Sequence, residues 1–149
     1  MAAPNVFPIY SRVGDIQWSI ADGDGGTGGP LKTANTNVDG SGTLTTVFTA
    51  DATNGGRVER LSARAAGTNV ASVLRVFINN GSTSNNTNTT LITEVTLPAT
   101  TASAVAALAD VTIYGTPFPL VLPPGYKLLV TVGTTIAAGY RVTTYSGKY

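Results

Sequence analysis

Short segments of alternating apolar and polar residues, separated by turns rich in glycine, asparagine and proline, constrain the fold of this chain more than any other feature. In the clearest segment, residues 71–79, alternation places Leu74, Val76 and Ile78 on one face of a strand. The other face is also mostly apolar, so we expect it to be at least partly covered. The 24 Thr, 17 Gly and 10 Asn favour strands and turns over helix.

Eight or nine short strands predict an all-β fold, namely a two-sheet antiparallel β-sandwich with jelly-roll topology and little or no helix. The segments are residues 15–21, 43–50, 57–66, 71–79, 91–97, 111–114, 118–122, 127–132 and 140–145. The only candidate helix is residues 100–109, where alanine and leucine favour at most one or two turns. Residues 1–14 hold prolines and large apolar side chains without a period, which predicts an extended N-terminal arm before a single domain, residues 15–149.

The chain contains no histidine and no cysteine. It therefore has no imidazole base, no thiol nucleophile and none of the nitrogen or sulfur ligands that zinc and copper sites use. Glu59 and Glu94 are the only acids in the middle of predicted strands, so they form the one candidate carboxylate pair for glycoside hydrolysis. We expect neither an enzyme nor a bound cofactor.

Charge and hydropathy narrow the choice of partners. Nine Lys+Arg against eight Asp+Glu give a net charge of +1, and only 11% of the residues are charged, which argues against a nucleic-acid partner. The longest nearly uncharged apolar stretch, residues 102–109, is far shorter than the roughly 20 residues of a membrane span, so no membrane partner is expected. The opening residues do not have the pattern of a signal peptide.

Two acidic, glycine-containing segments resemble parts of calcium-binding loops. One contains Asp22 and Asp24, and the other runs from Asn35 to Asp39. Both lack the bidentate glutamate of such loops, because the twelfth position counted from Asn35 is Thr46. We therefore do not expect calcium as a partner, and the pattern favours loops closed by Asx turns.

Arginines are concentrated in one part of the sequence. Arg57, Arg60, Arg64 and Arg75 supply four of the nine basic residues within 19 positions. Strict alternation puts Arg60 and Arg64 on one strand face with Val58, and Glu59 on the other face with Leu61. Three interpretations stay open: contact with a protein partner, a solvated or internally paired face, and binding of phosphates. As contact residues we predict an apolar set in the arm and three of these arginines: Pro4, Val6, Phe7, Ile9, Tyr10, Arg57, Arg60 and Arg64.

The C-terminal part carries a family resemblance. Residues 110–114, the run Pro119-Leu-Val-Leu-Pro-Pro-Gly-Tyr-Lys-Leu-Leu-Val-Thr-Val132 and residues 145–149 resemble small jelly-roll proteins of tailed-phage virions. In those proteins a Leu-Pro-x-Gly-Tyr turn leads into a strand of the form Leu-x-Val-x-Val. Within that group, these residues resemble in character the capsid decoration, or cement, protein. It covers about 60 residues well and the strand order of the remainder loosely.

The resemblance implies a function in assembly. It predicts a virion structural protein that binds the outside of the capsid as a homotrimer and stabilises contacts between neighbouring major capsid subunits. Such a protein would be made in the host cytoplasm and have no catalytic residues. The alternative is a carbohydrate- or receptor-binding jelly-roll module of a virion appendage, in which Trp18 with Tyr10 or Tyr114 would stack on a sugar ring.

Overall fold

The computed structural model describes residues 15–18 and 30–149. This part of the chain contains nine β-strands and no helix. The strands are β1 (Asp15–Trp18), β2 (Thr45–Thr49), β3 (Gly56–Ala65), β4 (Ser72–Asn79), β5 (Thr89–Leu97), β6 (Asp110–Ile113), β7 (Leu120–Leu122), β8 (Lys127–Val132) and β9 (Tyr140–Lys148). Consequently, the residues described include no helix that is long and apolar enough to cross a membrane.

The strands form two antiparallel sheets. The first sheet has the order β1-β9-β3-β6, and β7 also pairs with β3. The second sheet has the order β2-β8-β4-β5. The predicted all-β, two-sheet antiparallel sandwich is confirmed, while the jelly-roll topology stays a prediction.

The core lies between the sheets and is built by alternation along each strand. The first sheet contributes Leu61, Tyr140 and Val142, and the second contributes Phe48 and Leu74, all fully buried. Each large side chain withdrawn from water in this way contributes about 1.5–3 kcal/mol to folding. Because the inward residues are fixed by this burial, the residues between them must point outward.

A bulge in β3 changes which of its residues share a face. The pairing of β3 with β9 shifts register between Val58 and Arg60, so Glu59 is an extra residue. Val58 is therefore buried in the core with Leu61, whereas Glu59 is exposed. The strict alternation that placed Val58 beside Arg60, and Glu59 beside Leu61, was wrong at this point. The prediction that Arg60 and Arg64 share a face, opposite Leu61, is confirmed.

The candidate helix at residues 100–109 was also wrong. The segment starts from a bridge between Asn69 and Thr100, then runs without helix to β6, and residues 101–107 are all exposed. Val105 is 97% exposed. A short helix needs an apolar face packed against the protein, and here only the end of the segment, at Leu108, packs on the core.

The outward face of the second sheet is covered by the chain itself. Phe77 on β4 is 0% exposed and pairs with the buried Leu129 on β8, although neither belongs to the core between the sheets. The segment of residues 35–43 crosses this face. At one end the Asn35 amide donates to the Val132 carbonyl of β8, and further along Gly40 lies against Thr89 of β5. The predicted cover over the second face of residues 71–79 is therefore present.

Candidate functional site: an arginine face

Four arginines meet on the outward face of the first sheet, which we call the arginine face. Arg57, Arg60 and Arg64 come from β3, and Arg141 comes from β9, directly opposite Arg64 in the register. Arg60, Arg64 and Arg141 are exposed, and Arg57 is half-buried. These residues are held outward because their neighbours on β3 and β9 are packed into the core.

Two of the four arginines have partners within the face. Arg57 Nε lies 2.8 Å from Glu59 Oε1, an ion pair made possible by the bulge that turns Glu59 outward. The Arg60 guanidinium lies over the ring of Tyr145, 3.9 Å from the ring centroid. A stacked guanidinium keeps its N–H donors free at the edge of the plane, so Arg60 can still bind an acceptor.

Arg64 and Arg141 differ from these two. Among residues 30–149, neither forms an ion pair or a side-chain hydrogen bond. Asp110 on β6 lies opposite Arg64 on the side away from β9, so a carboxylate and a guanidinium flank Arg64 in register. The face thus carries four guanidiniums and two carboxylates, those of Glu59 and Asp110.

The structure separates Arg75 from the cluster in which the sequence places it. Arg75 lies on β4 in the second sheet, where its Nε donates to Glu94 Oε1 at 2.7 Å. Its Nη1 donates to the Asn35 carbonyl at 3.0 Å. Arg75 therefore ties the segment of residues 35–43 to the sheet. Sequence neighbours on β3 and β4 belong to different layers because the chain crosses from one sheet to the other between them.

Arg141 is the member of the arginine face that sequence reasoning missed. Alternation in residues 140–145 already places Arg141 and Tyr145 on one face, opposite the buried Val142. What the sequence does not reveal is that β9 pairs with β3 over its whole length, with Arg141 opposite Arg64 and Tyr145 opposite Arg60. Only this long-range pairing assembles the site.

The other candidate residues do not converge. Glu59 and Glu94 lie on the outward faces of opposite sheets, and each is ion-paired with an arginine. Trp18 is on β1 and Tyr114 follows β6, at the two edges of the first sheet. With two strands between them, their backbones are about 14 Å apart, so the sheet does not place the two residues side by side. Tyr10 lies outside the described residues.

The segment from Asn35 to Asp39 is closed by its own hydrogen bonds. Asn35 Oδ1 accepts from the Asn37 amide at 3.0 Å, and Asp39 Oδ1 accepts from the Ser41 hydroxyl at 2.6 Å and the Ser41 amide at 2.9 Å. Hydrogen bonds from the Ser41 hydroxyl and amide hold the pKa of Asp39 below its ordinary value. In the described part of the chain, no three acids gather where they could hold a metal ion. Asp22 and Asp24 lie outside that part.

Two cavities lie on the side of the second sheet. One of about 330 Å³ is lined by Ala71, Ser72, Val73, Arg75, Gly133 and Thr134. The other, of about 110 Å³, is lined mainly by Leu44, Thr46, Ser82, Thr83, Lys127 and Leu129. Neither borders the arginine face, and the ionisable side chain of the first, Arg75, is already bonded to Glu94.

The predicted contact residues of the arm, Pro4, Val6, Phe7, Ile9 and Tyr10, lie outside the described residues, so their contacts stay a prediction. No protein-family model matches the chain, and no curated protein or solved structure does either.

Proposed function

We propose that this chain is a structural protein of a virion, which binds the outside of the capsid as a homotrimer and stabilises contacts between neighbouring major capsid subunits. The observation that carries the proposal is the arginine face. It is an outward patch of four guanidiniums on a sheet, three exposed and one half-buried, and the two cavities that described residues line lie on the other sheet. Such a surface suits contact with another macromolecule.

The guanidiniums are suited to a protein partner. Arginine is enriched in interfaces because its planar group forms bidentate hydrogen bonds and stacks on aromatic rings. Here Arg60 already stacks on Tyr145, which limits the side-chain entropy that binding would remove. A strand carrying the arginines is also better ordered than a loop, because β3 pairs with β9 on one side and with β6 and β7 on the other.

The topology supports the jelly-roll part of the proposal. The chain changes sheet at every connection except those from β4 to β5 and from β6 to β7, so that β2, β4, β5 and β8 form one layer and β1, β3, β6, β7 and β9 form the other. This strand order is compatible with two interlocked Greek keys, as a jelly roll requires. It agrees with the resemblance that residues 110–149 bear to small phage proteins of this class.

A surface for contact between copies lies along one edge of the first sheet. β6 and β7 follow each other along the same side of β3. Tyr114, directly after β6, is 76% exposed and Val121 on β7 is 60% exposed, and we call these two residues the apolar edge. Exposed large apolar side chains at a sheet edge offer area that a partner can bury. The apolar edge therefore supports the homotrimer in the proposal.

The proposal is tested with capsid shells that lack this protein. The purified chain is expected to co-sediment with the shells and to raise their thermal resistance. Replacing Arg60 and Arg64 together by glutamate should weaken binding at least about tenfold, and the loss should shrink as salt is raised. Lys127→Glu, on the second sheet, makes half of that charge change away from the arginine face and should bind like the natural chain.

Two results would contradict the proposal. One is a chain that sediments as a monomer and adds nothing to the shells. The other is a double glutamate variant that binds shells as tightly as the natural chain. Affinity for a glycan in the absence of shells would favour the carbohydrate-binding alternative instead.

A further inference from the structure

The cross-strand position of Arg64 and Arg141 is electrostatically unfavourable for the isolated chain. Directly opposite residues of an antiparallel pair have Cβ atoms about 4.5–5.5 Å apart, and like charges there destabilise the sheet. Both side chains are exposed, and neither has a carboxylate partner among the residues that the structure describes. An anion placed between them would replace repulsion by two charge-assisted hydrogen bonds.

Two other arginines of the described residues are ion-paired. Arg57 meets Glu59 at 2.8 Å and Arg75 meets Glu94 at 2.7 Å. Arg64 has Asp110 opposite it on β6, yet the two form no ion pair. The guanidinium N–H donors of Arg64 and Arg141 therefore have no acidic acceptor among residues 30–149, although Asp110 lies opposite Arg64 in the sheet.

The face favours discrete carboxylates over a continuous row of phosphates. Glu59 and Asp110 stand among the arginines, so a uniformly charged nucleic-acid backbone lying along the face would meet two like charges. The chain as a whole carries only +1, and its isoelectric point is about 8.0, whereas nucleic-acid domains are usually above about 9. An acidic polypeptide can place single carboxylates between the guanidiniums and apolar or neutral residues opposite Glu59 and Asp110.

We infer that Arg64 and Arg141 form a two-arginine receptor for a carboxylate of an acidic polypeptide segment, with the stacked Arg60 as a second contact for the same segment. The inference rests on the proposed function, because it names the partner chemistry of the same face. It adds Arg141 to the contact residues and makes the Arg64–Arg141 pair their centre.

The test measures binding of the purified chain, by anisotropy at low salt, to a fluorescent peptide in which single glutamates are separated by neutral residues (the spaced-glutamate peptide), beside a single-stranded oligonucleotide of matched charge. The natural chain should bind the spaced-glutamate peptide more tightly than the oligonucleotide. Arg141→Glu should weaken binding of the spaced-glutamate peptide at least about tenfold. Lys127→Glu makes a comparable charge change on the other sheet and should change binding less than about twofold.

Arg141→Lys separates a guanidinium receptor from simple positive charge. It keeps the charge but loses the planar fork, so binding should fall by roughly threefold to tenfold. Equal losses in Arg141→Glu and Lys127→Glu would overturn the inference, as would tighter binding of the oligonucleotide. Binding of shells that is unaffected by Arg141→Glu would also overturn it while leaving the proposed function in place. Conversely, binding of the spaced-glutamate peptide without shell binding would remove the proposed function and retain the receptor.

Discussion

The outward faces of the two sheets both carry an arginine on a central strand, and they use it in opposite ways. On the second sheet, the side chain of Arg75 is 17% exposed, pairs with Glu94 and bonds to the Asn35 carbonyl. On the first sheet, Arg64 is exposed and lies opposite Arg141. The same residue type thus fastens a covering segment on one face and stays open to a partner on the other.

The apolar residues of the two faces follow the same division. Phe77 and Leu129 make the second sheet apolar on both sides, and the segment of residues 35–43 shields that outward side. The outward face of the first sheet instead presents arginines, threonines and Tyr145, whose polar groups are solvated by water. An outward-facing arginine therefore indicates a binding surface only when the residues opposite it do not pair with it and no segment of the chain covers it.

Truncating one aromatic ring on each face should give the largest contrast. Phe77→Ala removes a fully buried ring and should lower the free energy of unfolding by about 3–5 kcal/mol. Tyr145→Ala removes a half-buried ring that contacts Arg60 and should lower it by less than about 2 kcal/mol. Urea denaturation measures both. Equal losses would mean that the second sheet is not the covered one.

Displacing the covering segment, residues 35–43, should have the next largest effect on the free energy of unfolding. Gly40 has a φ of +86°, and a Cβ there would lie 2.7 Å from Thr89 Cβ. Gly115 has a φ of +76° but no heavy atom within 4 Å of the added Cβ. Gly40→Ala should therefore cost about 1–3 kcal/mol more than Gly115→Ala, since both strain the backbone but only the first forces the segment off the sheet. Equal costs from thermal denaturation would place residues 35–43 away from β5.

The same substitution at the two arginines should sharpen the comparison. Arg75→Gln leaves Glu94 and the Asn35 carbonyl without their partner and should destabilise the fold by about 1–2 kcal/mol. Chemical denaturation at moderate salt measures the loss. A change within about 0.3 kcal/mol of zero would mean that Arg75 is as dispensable to the fold as a solvated surface residue.

Arg141→Gln should have the smallest effect and the opposite sign. Removing one of two like charges in register should raise the free energy of unfolding by about 0.2–0.5 kcal/mol at low salt. The gain should disappear near 1 M salt, where screening acts within about 3 Å. A loss above about 1 kcal/mol would show that Arg141 holds the sheet together and is not available to a partner.

Alternation was sufficient to predict most strands and the shared face of Arg60 and Arg64. It failed where one residue broke the period, because the extra residue Glu59 in β3 exchanges the faces of Val58 and its neighbours. Helix propensity failed at residues 100–109, because residues 101–107 are exposed and have no packed apolar face to stabilise a helix. The grouping of Arg75 with β3, and the omission of Arg141, have one cause: which strands pair depends on long-range contacts that local patterns do not encode.

The most direct test of the division between the two faces is arginine footprinting with phenylglyoxal, read residue by residue by mass spectrometry. In the free protein, Arg64 and Arg141 should react fast and Arg75 slowly, since only Arg75 is bonded and largely buried. On shells, Arg64 and Arg141 should become at least about tenfold less reactive, while Arg75 stays unchanged. Full reactivity of Arg64 and Arg141 in the bound protein would contradict the account.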